Sequence, residues 1–220
     1  MLEKKMMQTL EKKVSYTHTN TYETLNTLTE NTKNIWLVFH GIGYLGRYFL
    51  KYFKDLNAEE NYIIAPQAPS KYYLNGKYVH VGASWLTKEN TSLELENVNN
   101  YLDAVYEAEN LPEHCNLILF GFSQGVSIVT RWLAHKKLAC RQLILYAGGI
   151  PTELKASDFA FLETNKSNVK VIIGHHDEYI NEERMKVEMQ KIKLLFKDRA
   201  EIMMFDGKHE VKKEIINSLV

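Results

Sequence analysis

Cysteine is scarce in this sequence, which holds only Cys115 and Cys140 among its 220 residues. Two cysteines are too few for a disulfide framework or for a zinc site built on cysteine pairs, so both kinds of protein are excluded. A single disulfide bridge between the two residues remains an alternative. Because unpaired thiols persist in a reducing compartment, the sequence favours a cytoplasmic location.

Net charge and long apolar runs are absent as well. Lysine plus arginine and aspartate plus glutamate each total 27, so the formal net charge is zero and no nucleic-acid partner is expected. The longest apolar runs, such as residues 35–39, are far shorter than the roughly 20 residues that cross a bilayer. Charges interrupt the apolar residues at positions 1–13, so neither a signal peptide nor an integral membrane segment is predicted. The oligomeric state is left open, a homodimer included.

The chain does contain an alternation of short β-branched and aromatic runs with longer stretches of helical periodicity. This alternation is typical of βαβ units and predicts an α/β fold with a mostly parallel sheet flanked by helices on both faces. Runs that are apolar throughout indicate strands covered on both sides. The predicted core strands are 35–40, 62–65, 115–121, 142–146, 169–174 and 201–205, and the predicted helices are 45–54, 93–109, 126–136, 182–196 and 211–219.

Two stretches stand outside this alternation. Residues 15–28 are rich in threonine and tyrosine, and we predict a polar antiparallel hairpin at the sheet edge. Residues 66–90 hold proline, glycine and several aromatics, Trp85 among them; long loops are usually functional, so this one is expected to wall the site described next. No repeat or linker marks a boundary, so residues 1–220 are interpreted as one domain with residues 1–13 as an N-terminal extension or short helix.

A candidate nucleophile lies in a recognisable turn. The pattern G-x-S-x-G occurs at Gly121-Phe122-Ser123-Gln124-Gly125, after an apolar run and before a helical one. Its glycines allow the sharp reversal from strand to helix that leaves the serine exposed above the sheet edge. The N-terminus of the following helix favours negative charge at this position. A chance match in a surface turn is the alternative reading, and the strand–turn–helix context argues against it.

A serine hydroxyl needs a general base and an acid that orients the base. In this arrangement the acid and the histidine follow the serine on loops after later strands. Asp177 comes directly after the predicted strand 169–174, and His209, after strand 201–205, is the only histidine that follows it. We therefore predict Ser123, Asp177 and His209 as a catalytic triad. Glu178 is the alternative acid, and Asp206 is the other nearby carboxylate, interpreted as a helix cap.

His175 and His176, beside Asp177, raise the alternative of a metal site. Adjacent side chains of an extended segment point to opposite faces, and no third ligand is visible in the sequence. No metal is therefore expected, and no motif predicts a cofactor.

Attack on a carbonyl creates an oxyanion that two backbone amides bind. The N–H of Gln124, directly after the nucleophile, is the predicted first donor. The turn 40–43, His-Gly-Ile-Gly, follows an early strand, and its glycines let the backbone approach a substrate closely. The N–H of Ile42 is the predicted second donor. A plain glycine-rich turn is the alternative, and His40 is interpreted as structural.

Together these segments resemble the phospholipase/carboxylesterase family of α/β hydrolases, a group that includes acyl-protein thioesterases and small bacterial carboxylesterases. The resemblance covers most of the chain and rests on residues 39–43, 65–69, 121–125 and 207–209 and on Asp177, in family order. It implies an α/β-hydrolase fold with little or no cap domain, no cofactor, and hydrolysis of carboxylic esters or thioesters. It also implies the same triad, Ser123, Asp177 and His209, and the same amide donors, Ile42 and Gln124.

The sequence departs from the family pattern at two places. An acid often follows the His-Gly-x-Gly turn, where this chain has residues 44–46, Tyr-Leu-Gly, and an acid is missing from residues 84–87, Ser-Trp-Leu-Thr. Substrate preference is therefore not carried over. The expected function is hydrolysis of a small carboxylic ester through an acyl-enzyme on Ser123. Thioester or lysophospholipid hydrolysis with the same residues is one alternative, and a non-catalytic binding protein on a hydrolase fold is another.

Overall fold

A seven-stranded sheet forms the centre of the protein in this computed structural model, which describes residues 9–220. The strands, in chain order, are β1 (Tyr22–Leu25), β2 (Asn34–Phe39), β3 (Asn61–Pro66), β4 (Ser70–Tyr73), β5 (Val81–Ser84), β6 (Asn116–Phe122), β7 (Gln142–Tyr146), β8 (Asn168–Gly174) and β9 (Ala200–Phe205). The central sheet has the order β1-β3-β2-β6-β7-β8-β9, whereas β4 and β5 pair with each other in a small antiparallel sheet.

The central sheet is parallel except at one edge. β3, β2, β6, β7, β8 and β9 run in the same direction, and only β1 pairs antiparallel, with β3. Every predicted core strand has an observed counterpart whose ends lie within one residue of the prediction. The carboxyl ends of the parallel strands therefore open on one side of the molecule, where α/β proteins bind their ligands.

The helices are α1 (Gly46–Phe49), α2 (Thr91–Ala108), α3 (Gln124–Lys136), α4 (Phe161–Thr164), α5 (Glu182–Phe196) and α6 (Lys213–Asn217). The predicted helix 45–54 is an α-helical turn followed by a 3₁₀ turn, Leu50–Phe53. The predicted helix 211–219 is shorter than expected, although Val211 and Leu219 are both buried. The apolar residues of this stretch are therefore buried both in the helix and in the turns on either side of it, which is why the predicted helix was too long.

Two apolar cores lie on opposite faces of the sheet because successive strand residues point to alternate sides. In β2, Leu37 belongs to one core and Val38 to the other. The first core contains the apolar stripes of α2, α3 and α5, and the second contains those of α1 and α6. Helices therefore flank the sheet on both faces, and the predicted α/β class is confirmed.

The predicted hairpin at residues 15–28 is wrong. Only β1 forms, as an antiparallel edge strand, and it ends at Leu25, just before Asn26, which has a φ of 69°. Residues 9–21 make no strand; the end of this stretch is held by side-chain bonds, in which the Tyr101 hydroxyl donates to the Thr21 carbonyl at 2.6 Å and Asn20 Nδ2 donates to the Gln67 carbonyl at 2.8 Å. The N-terminal extension or short helix predicted at residues 1–13 lies outside the described residues up to position 8, and residues 9–13 have no regular structure.

The segment 66–90 is more ordered than the sequence indicated. It contains β4 and β5, and Trp85 after β5 is fully buried, with its indole N–H donating to the His40 carbonyl at 2.9 Å.

No helix within the described residues is long and apolar enough to cross a membrane. Cys115 and Cys140 are both free, so the bridge left open by the sequence does not form.

Candidate active site

Ser123 lies at the turn between β6 and α3, at the carboxyl edge of the sheet. Its backbone has a φ of 53° and a ψ of −117°, a conformation that side-chain-bearing residues rarely adopt. The strain is held by hydrogen bonds on either side: Ser123 N–H donates to the Tyr146 carbonyl at 2.9 Å, and its own carbonyl accepts from Val126 N–H at 3.0 Å. The side chain is thereby fixed above the sheet edge.

The two motif glycines are required by close backbone contacts. A Cβ on Gly125 would lie 2.0 Å from the Phe39 carbonyl oxygen, and a Cβ on Gly121 would lie 2.6 Å from the Gly125 carbonyl oxygen. The first contact joins the start of α3 to the end of the neighbouring strand β2. Only glycine lets the helix begin this close to the sheet.

A hydrogen-bond chain connects the serine to a carboxylate through a histidine. His209 Nε2 lies 2.9 Å from Ser123 Oγ, and His209 Nδ1 lies 2.8 Å from Asp177 Oδ2. The other carboxylate oxygen, Oδ1, accepts from the backbone N–H groups of Tyr179 at 2.8 Å and Ile180 at 3.2 Å. The Asp177 side chain has no exposed surface. The structure thus brings together the three side chains predicted as a triad, in an order that holds Nδ1 of the histidine as donor and Nε2 as acceptor.

The histidine ring is enclosed by two aromatic rings. Phe122 lies 5.1 Å from the His209 ring centroid on one side, and Tyr179 lies 4.7 Å away in an edge-on arrangement on the other. The His209 side chain is only 14% exposed as a result. These contacts restrict the ring to the orientation that reaches both partners.

Neither alternative acid is hydrogen-bonded to His209, and the described side chains do not form a cluster of metal ligands. Glu178 is exposed, and its carboxylate is not hydrogen-bonded to His209. Asp206 is exposed and lies 3.5 Å from His176 Nε2, so it does not cap α6 as expected. No group of three or more metal-ligating side chains occurs in the described part of the chain.

Two residues that line the cavity around the serine have backbone amides without a protein acceptor in the described part of the chain. Neither Ile42 N–H nor Gln124 N–H donates to an acceptor within residues 9–220. The turn that carries Ile42 passes close to the serine, because a Cβ on Gly41 would lie 3.1 Å from Ser123 Cβ. Both amides predicted to bind an oxyanion are therefore available at this edge, and the first turn of α3 adds its own positive end.

The turn that carries Ile42 is supported from behind. Gly43, with a φ of 83°, donates its N–H to the Ala83 carbonyl at 2.8 Å in the small β4–β5 sheet. His40 is fully buried beneath the turn: its Nδ1 donates to the Gly41 carbonyl at 2.8 Å, and its Nε2 accepts from Ala68 N–H at 3.2 Å. Burial lowers the pKa of His40 to about 4, since it disfavours the charged ring, although the bond to Gly41 acts in the opposite direction. The ring is neutral and structural.

A cavity of about 520 Å³ opens over the serine, a volume within the range of small-molecule sites. The segment 66–90 was expected to wall this cavity, but none of its residues lines it. Trp85 packs against Phe39 and His40, and the segment supports the site from outside. The lining residues are Ile42, Tyr44, Phe122, Ser123, Gln124, Ser127, Ala147, Gly148, Gly149, Tyr179, Ile180, Arg184 and His209.

Several of these lining residues were missed by the sequence reasoning. Tyr179 lies two residues after Asp177, and its position next to the predicted acid was a signal that its side chain reaches the site. Arg184 lies in the first turn of α5, where nothing in the sequence distinguishes it from the other charged residues of that helix. The side chain of Gln124 also has an unpredicted role: its Oε1 accepts from Trp85 N–H at 2.9 Å and its Nε2 donates to the Leu86 carbonyl at 2.8 Å.

A mostly parallel, helix-flanked sheet that carries a positive-φ serine at a strand–helix turn defines the α/β-hydrolase class. The chain belongs to the phospholipase/carboxylesterase family, whose model matches residues 20–220. The family resemblance read from the sequence is thereby confirmed. A sequence comparison with curated proteins finds no match.

Solved structures of similar fold come from plants and bacteria. Acyl-protein thioesterase 2 of Zea mays superposes with a TM-score of 0.70 at 15% identity, covering 91% of this chain and 96% of that chain. A carboxylesterase of Mesorhizobium loti gives a TM-score of 0.67 at 14% identity, with 90% and 92% covered. A phospholipase/carboxylesterase of Dyadobacter fermentans gives a TM-score of 0.65 at 19% identity, with 93% and 97% covered. At these identities the likeness establishes a shared fold.

Proposed function

We propose that the chain, as one domain, is a serine carboxylesterase in which Ser123 is the nucleophile, His209 the general base and Asp177 the acid that orients the base. One observation carries this proposal: the continuous hydrogen-bond chain from Ser123 Oγ through His209 to Asp177, with distances of 2.9 and 2.8 Å. A hydroxyl that is hydrogen-bonded to a neutral imidazole loses its proton as it attacks, which a free serine does not do at neutral pH.

In the first half of the reaction, Ser123 Oγ attacks the ester carbonyl carbon and its proton passes to His209 Nε2. The carbonyl oxygen becomes an oxyanion that accepts from the N–H groups of Ile42 and Gln124. Collapse of this intermediate breaks the bond to the alcohol oxygen, which takes the proton from His209. An acyl group then remains on Ser123.

In the second half, His209 Nε2 removes a proton from water, and the hydroxide attacks the acyl carbon. The same two amides bind the second oxyanion. Its collapse releases the carboxylic acid, and Ser123 Oγ recovers its proton from His209. Asp177 keeps its carboxylate form throughout, because it accepts from two backbone amides as well as from the ring.

The first experiment is intact-mass analysis after incubation with a fluorophosphonate, followed by hydrolysis assays with p-nitrophenyl esters. We expect a single adduct on the wild-type protein and none on Ser123→Ala, with ester turnover lost in the variant. An unlabelled, folded wild-type protein would instead favour the non-catalytic binding protein. Full esterase turnover in pure Ser123→Ala would overturn the assignment of the nucleophile.

Thioester hydrolysis is the second candidate, supported by the fold shared with acyl-protein thioesterase 2 of Zea mays. The same groups suffice for it, since a thiolate leaves more readily than an alkoxide. Parallel rates on an alkyl ester and on the thioester of the same acid separate the two. We further propose a reducing, cytoplasmic location, supported by the two free cysteines.

A further inference from the structure

A single fixed charge lines the serine cavity. Of the residues that form its wall, all within the described part of the chain, only Arg184 carries a permanent charge. Arg184 also lines a second cavity of about 730 Å³, which shares Ser127, Gly149 and Tyr179 with the first. The guanidinium therefore lies where the two cavities adjoin, and a substrate that extends from Ser123 into the larger one passes it.

Arg184 is held by a buried carboxylate. Its Nε donates to Glu188 Oε1 at 2.7 Å, one turn further along α5, and the Glu188 side chain is only 2% exposed. Glu188 Oε1 also accepts from Lys191 Nζ at 3.2 Å, and Oε2 accepts from Ile150 N–H at 2.9 Å. Every contact of this carboxylate comes from α5 or from the loop after β7. This bond to a buried carboxylate positions the arginine before any ligand arrives, while half of the arginine side chain stays exposed.

The charges around this carboxylate do not cancel. Two cations, Arg184 and Lys191, share the one anion Glu188, which leaves one net positive charge beside the cavities. At the far side of the larger cavity, Arg131 Nε pairs with Glu153 at 2.7 Å, and this pair is neutral. Glu183 also lines the larger cavity; it is exposed, as is half of the Arg184 side chain, so water screens both charges.

The two Nη groups of the Arg184 guanidinium are available to bind a ligand. Within residues 9–220 the Arg184 side chain donates only through Nε, so its two Nη groups have no protein acceptor. The group lies close over Gly149, where an added Cβ would come within 2.2 Å of Nη2. A planar pair of N–H donors that is fixed on its other edge matches the two oxygens of a carboxylate.

We propose that Arg184 is a specificity-determining residue that binds a carboxylate carried by the substrate. The preferred substrates are then esters with a free carboxylate some atoms from the scissile carbonyl, either half-esters of a dicarboxylic acid or esters of a hydroxy acid. The inference rests on the proposed esterase function, which it deepens by naming the substrate class.

Two matched pairs of esters test the inference. Monoethyl adipate and ethyl hexanoate share a six-carbon acyl chain and differ by a terminal carboxylate on the acyl side. The hexanoate ester of gamma-hydroxybutyrate and butyl hexanoate differ in the same way on the alcohol side. The readout is the ratio of kcat/KM for the anionic ester to that for the neutral ester, measured in wild type, Arg184→Met and Arg184→Lys.

We expect wild type to favour the anionic member of at least one pair by about tenfold, the gain typical of a hydrogen bond to a charged group. Arg184→Met should bring that ratio to about one or below, and Arg184→Lys should retain part of it because the charge remains without the planar fork. Lys186→Met is the matched control, since Lys186 is exposed on the same helix and lines neither cavity. A preference in the adipate pair assigns the arginine to the acyl side, and one in the hydroxybutyrate pair assigns it to the alcohol side.

Two results would overturn the inference alone and leave the esterase proposal standing. One is a wild-type ratio near one in both pairs while the neutral esters are hydrolysed, which leaves the proposed esterase function intact. The other is a preference for the anionic ester that survives in folded Arg184→Met. Hydrolysis of none of the four esters by the unmodified wild-type protein would remove the esterase proposal itself and the inference with it. Thermal unfolding of each variant shows whether a changed ratio comes from a folded protein.

Discussion

Two walls around the serine cavity and the larger cavity that adjoins it are built in different ways. The strand-end loops, residues 41–43, 122–124, 177–180 and 206–209, supply backbone amides and the three hydrogen-bonded side chains, each directly after a parallel strand. The α5 wall consists of Arg184, which lines both cavities, of Val187 and Lys191, which line only the larger one, and of the buried Glu188 that holds Arg184. It supplies long side chains from a helix that follows Asp177 in the chain. The first wall depends on local turn geometry, whereas the second depends on one buried carboxylate. Under the proposed function, we expect turnover to depend on the loops and substrate choice to depend on the helix.

The largest effect is expected at Asp177 in the strand-end loops. Asp177→Asn keeps the size of the side chain but presents the wrong hydrogen-bonding group to His209 Nδ1, so kcat should fall by about 10⁴-fold. Glu178→Gln is the matched control one residue away, where the carboxylate is exposed, and its kcat should equal that of wild type. Steady-state ester hydrolysis measures both. Equal losses in the two variants would contradict the assignment of the acid.

A second test separates a backbone group from its side chain. Ile42→Pro removes the N–H that we assign to the oxyanion, so kcat should drop by about 10²–10³-fold. Ile42→Ala keeps the N–H and removes only a side chain that is 54% exposed, so it should change kcat by a few-fold at most. If alanine costs as much as proline, the side chain and not the amide matters at this position.

The buried His40, which supports the turn at residues 41–43, is expected to make the free energy of unfolding depend on pH. His40 has a pKa of about 4 in the folded protein against an ordinary value of 6.5, so the unfolded chain takes up the proton first as the pH falls. The stability that the neutral ring confers is complete above pH 6.5, is lost as the pH falls towards 4, and amounts to about 3 kcal/mol.

Urea unfolding of wild type and His40→Gln from pH 7 to pH 4 measures this contribution. The variant should be less stable at pH 7, because it cannot make both hydrogen bonds of the ring. The difference in the free energy of unfolding between the two proteins should shrink as the pH falls. A difference that stays constant over this range would show that His40 is not protected from protonation.

The smallest effect is expected at the α5 wall, where only substrate choice should change. Gly149→Ala places a methyl group where Arg184 Nη2 lies, so the guanidinium must move. The preference for an anionic ester should decline several-fold, less than the loss of about tenfold expected for removing the charge. In an Arg184→Met background the same substitution should have no further effect on that preference. Independent, additive effects in this double-mutant cycle would contradict the contact.

The sequence predicted those parts of the protein that depend on local rules. The core strands follow from continuous apolar runs, and Ser123 follows from glycines that sterics require on both sides of it. Asp177 and His209 follow from chain order and parallel strand ends, and the structure brings both within hydrogen-bonding distance of their partners. Local rules also failed at residues 15–28, which are rich in Thr and Tyr and have strand propensity but form only one strand, β1, paired with β3.

The remaining features depend on contacts between residues that are distant in the sequence. Glu188 is one of several charged residues on α5. It is buried and accepts a hydrogen bond from Ile150 N–H only because the loop after β7 packs against the helix. The order within segment 66–90 depends likewise on distant contacts, such as the bond from Trp85 to the His40 carbonyl. No periodicity or motif encodes such contacts, which is why Arg184 was not among the predicted site residues.

The order of the strands sets the spacing between the groups of the site. Ile42, Ser123, Gly149, Asp177 and His209 follow β2, β6, β7, β8 and β9, which are consecutive neighbours in the sheet. Because neighbouring strands are about 4.8 Å apart, each group starts one such step from the next, and the histidine loop must fold back over two strand ends to meet the serine. A change in the length of one loop therefore leaves the spacing of the other groups unaltered. A loop of new length or sequence at one strand end can therefore reshape the cavity while the other groups keep their positions at the sheet edge.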